Sequence, residues 1–227
     1  MLTFDAKEAA RADQIASSIT ETGKYIGTIT RAEKLHSKNG ADGLGLSFKA
    51  DDGSTADYLD LYTVNARGET LPSMKIVQAL MGCLQLRSAQ EGPIKCSKWN
   101  KDARQREEVS VPGYPEMMWK RIGLLLQKTL ETDQNGADRD RIQVFGVFQA
   151  DTELTVSEIL ARKTTPETLP KMVQYLESHP VRDNRKNKSA APQSYAAPQQ
   201  NSGGGFADFS DDIPFANIGR GMASYVI

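Results

Sequence analysis

From Gly23 to Glu33 (GKYIGTITRAE), β-branched and apolar residues roughly alternate with polar ones. That is the period of a half-buried strand. A loop carrying Gly and Lys follows, His36 to Gly43. Leu44, Leu46 and Phe48 then alternate with Gly45, Ser47 and Lys49, which predicts a second strand. Asp51-Asp52-Gly53-Ser54 is turn chemistry, because Asp and Gly tolerate the positive φ of tight hairpins. A third strand is predicted over 56–63, with Leu59 and Leu61 facing one way and Tyr58, Asp60 and Tyr62 the other. Pro72 opens a helix whose apolar stripe is Ile76, Val77, Leu80, Cys83 and Leu84. Residues 93–118 hold Pro93, Pro112 and Pro115 and read as irregular, with a short hairpin or a long loop. Arg121 to Glu131 fits helix or strand by period alone. Strand is chosen because Arg141 to Gln149 is β in character and Asp133-Gln134-Asn135-Gly136 makes a hairpin turn between them. Thr155-Val156-Ser157-Glu158 is a capping box that starts a helix running through Arg162, and Pro166 to Ser178 is one more. An Ala-rich helix over 5–21 opens the chain.

This order of elements predicts a mainly β fold with flanking helices over residues 1–180. Composition divides the rest. Residues 189–205 (SAAPQSYAAPQQNSGGG) carry no charge and no aliphatic side chain larger than Ala, so they cannot bury enough apolar surface to offset their conformational entropy. A disordered tail is therefore expected over 181–227. It contains FADFSDDIPF at 206–215, with three acids, no base and three phenylalanines. Hydrophobic residues are 39% of the 227 and charged residues 25%, so most of the chain should fold. The formal net charge of −1 excludes a uniformly basic surface, and any basic site must be local. Cys83 and Cys96 are too few for a disulfide framework and read as structural thiols in a reducing cytoplasm. The N-terminus has no apolar signal region, and no run approaches the roughly 20 apolar residues of a membrane span. A soluble protein in the cytoplasm of a bacterial host is expected, with no membrane partner.

Signatures of catalysis are missing. His36 and His179 are isolated from cysteine and from each other, so no metal ligand set is formed. The glycines of Gly40-Ala-Asp-Gly43-Leu-Gly45 have the wrong order for a dinucleotide loop and precede a strand. Asp51, Asp52, Asp57 and Asp60 read as turn and solvent-face residues. No catalytic residue, metal or cofactor is assigned. The most basic strip is 93–106 (PIKCSKWNKDARQR), where Lys95, Lys98, Lys101, Arg104 and Arg106 face one acid, Asp102, a local charge of +4. Trp99 stands in its middle. Cations that track phosphates beside an aromatic that stacks on a base suit single-stranded nucleic acid. A solvated loop whose tryptophan covers a barrel edge is the alternative. Tyr58 and Tyr62 on the outward face of the third strand form a second candidate, and Trp119-Lys120-Arg121 a third. Lys34 and Lys38, beside the first loop, complete the candidate contacts.

Asp211-Asp212-Ile213-Pro214-Phe215, beyond an uncharged Pro/Gln/Gly linker, closely resembles the tip of bacterial single-stranded DNA-binding proteins. In that family the body is an OB-fold, a small β-barrel, and the tip docks on replication, repair and recombination enzymes. One departure stands out: Ala216 to Ile227 follow Phe215, which therefore has no free carboxylate. Gly23 to Glu33 followed by Thr55 to Thr63 also resembles phage and prophage versions of such proteins over residues 1–162. The resemblance implies an OB-like barrel that coats single-stranded DNA without sequence preference during phage replication and recombination. It also implies host or phage replication, recombination and repair proteins as partners of Asp211–Phe215, and leaves room for a homo-oligomer. Two alternatives remain open: a strand-annealing recombination protein acting in oligomeric rings, and a replisome adaptor that binds protein only.

Overall fold

A computed structural model of the chain describes residues 18–100, 105–133 and 135–185, without the side chains of Trp99, Asn100 and Arg106. The alternation read from the sequence becomes a three-stranded antiparallel meander: β1 (Gly23–His36), β2 (Asp42–Ala50) and β3 (Thr55–Val64). Leu44, Leu46, Phe48, Leu59 and Leu61 point into a core together with Ile29 and Ala32. Asp52 closes the β2–β3 turn by accepting hydrogen bonds from the Ser54 amide and hydroxyl, with Gly53 at φ 90°. The helix α1 (Ser73–Cys83) follows Pro72 and buries Val77, Leu80 and Cys83.

Residues 92–113 differ from the expected irregular stretch. They form a long ribbon, β4 (Gly92–Asn100) paired with β5 (Gln105–Gly113) in unbroken register from Gly92↔Gly113 to Asn100↔Gln105. Pro93 and Pro112 pair with each other at its base, and the ribbon meets β1 at one position, Glu33↔Gly113. A short 3₁₀ turn, Pro115–Met117, leads into β6 (Arg121–Thr132), which pairs with β1 over Gly23–Thr28. β7 (Asp138–Phe148) returns antiparallel to β6 through the expected turn. There the Asp133 carboxylate accepts the amides of Asn135 and Ala137, and Gly136 takes φ 82°. Next come α2 (Val156–Leu160), with its capping box intact, and α3 (Thr168–Ser178). A short strand absent from the sequence reading, β8 (Val181–Asp183), pairs parallel to β6, so the sheet continues past residue 180. Of the expected 5–21 helix, only 18–21 are described; Ser18 there bridges Thr55, and no helix is present in those four residues.

The eight strands make one mainly antiparallel sheet, ordered β3-β2-β1-β5-β4 with β6, β7 and β8 branching from the lower half of β1. The sheet curls but its ladder stays open. β3 and β7 are neighbours without a strand pairing between them, and α1 packs against both. A side chain spans the seam: Arg141 of β7 donates to the Tyr58 carbonyl at 3.2 Å and to the Asp60 carboxylate at 2.7 Å. No helix among the described residues is long and apolar enough to cross a membrane.

Candidate nucleic-acid interface

The face of β1–β3 turned away from the core is built by two irregularities. Between Ile29 and Arg31 the β1–β2 register shifts by one residue. Without that bulge Arg31 would share the face of Ile29, inside the core; the extra residue, Thr30, turns it to the opposite side, across from Ser47. The β2–β3 register shifts between Leu46 and Phe48, setting two residues, Asp57 and Tyr58, against the single Ser47. Tyr58 takes φ 59° and stands 58% exposed. A left-handed backbone is unusual for a bulky aromatic and clusters at sites of function.

The outward positions of β2 are Gly43, Gly45, Ser47 and Lys49. The first three form a low floor. A Cβ on Gly45 would meet the Leu35 side chain at 3.0 Å, so the glycine leaves room for Leu35 to cover β2, which is buried from Gly43 to Phe48. On one wall of this floor stand Tyr58, Asp60 and Tyr62 of β3; on the other stand Arg31, Glu33 and Leu35 of β1.

Charges on this face are paired in a chain. The Arg31 guanidinium lies 5.3 Å from the centre of the Tyr58 ring, a cation–π contact. It donates to Glu33 Oε2 at 3.1 Å, and Lys98 Nζ, arriving from β4, donates to Glu33 Oε1 at 2.6 Å. Arg31 and Glu33 are both buried, whereas the Lys98 side chain is 39% exposed. Arg31 Nε is buried without a hydrogen-bond partner. Arg141 supplies a third cation, held by Asp60. Cys96 lies under this cluster; burial, followed by the negative charge of Glu33, pushes its thiol above the usual range. It is a free, buried cysteine, as is Cys83, whose thiol burial pushes up to about 12.

The sequence candidates separate on this framework. Tyr58, Tyr62 and Lys98 come together. Lys95 is exposed, but strand alternation puts it on the other side of the ribbon from Lys98, so the basic strip is divided between two faces. The backbones of Trp99 and Arg106 pair with each other; their side chains, together with Lys101 and Arg104, lie outside the described residues. Lys34 pairs with the core-facing position Leu44, on the reverse of the Tyr58 face, and its ammonium is bound to Glu91 at 2.7 Å. Lys38 is exposed in the β1–β2 turn. Trp119 is 70% exposed at φ 63°, and its amide donates to the Ile29 carbonyl at 2.7 Å, beside the β1 bulge. Lys120 is exposed next to it, and Arg121 is engaged by Asp51. Tyr58 and Trp119, two aromatics in the left-handed region, therefore flank the β1–β2 pair in the strand order. Asp211–Phe215 lies outside the described residues.

Arg31, Glu33 and Arg141 escape a sequence reading. Their one signal is charge in the middle of otherwise half-apolar strands. The chain matches no known family model and no curated protein sequence.

Proposed function

We propose that the protein binds single-stranded DNA along the outward face of β1–β3, without sequence preference, and recruits partner proteins through Asp211–Phe215. The observation that carries the reading is an exposed, left-handed Tyr58 whose ring meets Arg31, beside two further cations, Lys98 from the ribbon and Arg141 from β7. Unpaired bases offer aromatic faces that stack on Tyr or Trp, and their phosphates are tracked by cations, which gives affinity indifferent to base order. The described helices pack on the sheet through buried residues, which leaves none of them free to enter a duplex major groove.

Chain topology supports the same reading. A three-stranded meander, a helix, and a hairpin whose first strand returns to β1 while its second approaches β3 is the element order expected of an OB-like barrel, although the sheet here is not closed. The β4–β5 ribbon is then an insertion between helix and returning hairpin. The tail's share of the proposal rests on sequence: a phenylalanine and two acids at the end of an uncharged linker suit a pocket with a basic rim.

Fluorescence titration with poly-dT and with duplex of equal length tests the DNA reading. Strong, salt-sensitive binding of the single strand and weak binding of the duplex are expected. Equal affinity for both would overturn it.

A further inference from the structure

Arg31, Lys98 and Arg141 on the candidate face are each already occupied by a carboxylate of the same face. Glu33 is held between Arg31 and Lys98, and Asp60 holds Arg141. Glu33 is 7% exposed and its two oxygens are each committed to a cation, the arrangement a phosphate would take between the same donors. A carboxylate so buried has left water, and only these two cations compensate it. Arg31, the deeper of the two, keeps one buried N–H unused.

We infer that Glu33 and Asp60 are built-in competitors for phosphate: they fill the cation sites of the free face and are exchanged for DNA phosphates on binding. This rests on the DNA reading above and deepens it. Exchange of one anion for another keeps each cation paired throughout, while the displaced Glu33 carboxylate must rotate out to water. It also sets affinity as a difference between two anions. Wild-type binding is therefore weaker, and more easily reversed, than three cations and two tyrosines would otherwise give. The ribbon is part of the device, because the Lys98–Glu33 pair ties β4 to β1, and exchange would release that tie.

A double-mutant cycle reads the competition. Wild type, E33Q, K98A and the double variant are titrated with poly-dT at several salt concentrations, and their folding is compared by thermal melting. E33Q should bind roughly fivefold tighter, the scale of one half-exposed ion pair. Its log–log salt slope should steepen by ~0.7, one further phosphate neutralised on a single strand. K98A should weaken wild-type binding and also remove most of the gain in E33Q, a coupling that a general change in net charge would not produce. Equal affinity and slope in wild type and E33Q, both melting normally, would overturn the inference and leave DNA binding standing. No binding by any of the four proteins would instead sink the reading beneath it. If E33Q fails to fold, D60N applies the same test through Arg141: tighter binding with a steeper slope supports the exchange, and unchanged binding overturns it.

Discussion

Tyr58 joins a backbone cost to an exposed ring. A left-handed conformation costs a non-glycine residue on the order of 1–3 kcal/mol, and here the ring it displays is 58% exposed. Glycine adopts that conformation freely, so Tyr58→Gly should melt at the same or a higher temperature than wild type. It should nevertheless bind poly-dT more weakly by ~1–3 kcal/mol, the value of one stacked base. Unchanged affinity would show that the ring is no stacking platform. Glu158 illustrates the opposite kind of residue, one that serves the fold alone. Burial raises its carboxyl, but the amides of Thr155, Thr168 and Glu167 and the Thr155 hydroxyl outweigh this and bring it down to about 2 from an ordinary value of 4.5. A depressed carboxylate stabilises the fold above its unfolded value and loses that contribution as pH falls. The melting temperature should therefore drop between about pH 4.5 and pH 2, and Glu158→Gln should flatten that drop. Glu158→Ala leaves buried donors unpaired at ~1–3 kcal/mol each and should destabilise by more than ~3 kcal/mol.

Among the elements, the β4–β5 ribbon is the least supported. A two-stranded ribbon is marginal in water, and this one joins the sheet at Glu33↔Gly113 and through the Lys98–Glu33 pair. Amide exchange at 95–98 and 107–110 should be faster than in β1, β2 or β6, and should slow when poly-dT is bound. Protection that is high from the start, and blind to DNA, would place the ribbon outside the interface. Trp99→Ala tests its tip: binding should weaken by ~1–3 kcal/mol with little change in melting temperature, whereas a collapse in stability would make the tryptophan a core residue. The ribbon also marks where sequence patterning stops being informative. β2 and β3 alternate strictly about Leu44–Phe48 and Leu59–Leu61, so their strands and the Tyr58–Tyr62 face were legible. In β1 a single extra residue reverses the phase, and Arg31 lands opposite the side that simple alternation assigns. In the ribbon, prolines at the base and charges toward the tip mask a period-two pattern of Ile94, Cys96, Val109 and Val111. The three residues of β8 are too few to carry any pattern, and Arg141 reaches Asp60 across 81 positions of chain.

At the scale of the whole molecule, the DNA face and the tail should be separable. The acids Asp208, Asp211 and Asp212 follow Asp183, the end of β8, by 25 to 29 residues of sequence, and at low salt they should compete with phosphate for cations. Cutting the chain after Arg185 should leave poly-dT affinity equal or slightly higher and abolish capture of replication or repair proteins. Phe215→Ala should lose capture alone. Stopping the chain at Phe215 restores a free carboxylate there, and stronger capture would mean that Ala216 to Ile227 mask the tip; capture untouched by either change would remove Asp211–Phe215 as a docking motif. The central claim is tested most directly by titrating the intact protein with poly-dT and with an equal length of duplex across a salt series. Tight binding of the single strand, a log–log salt slope near −0.7 for each phosphate neutralised, and much weaker duplex binding are the predicted result. Equal binding of both forms, or none of either at low salt, would contradict it.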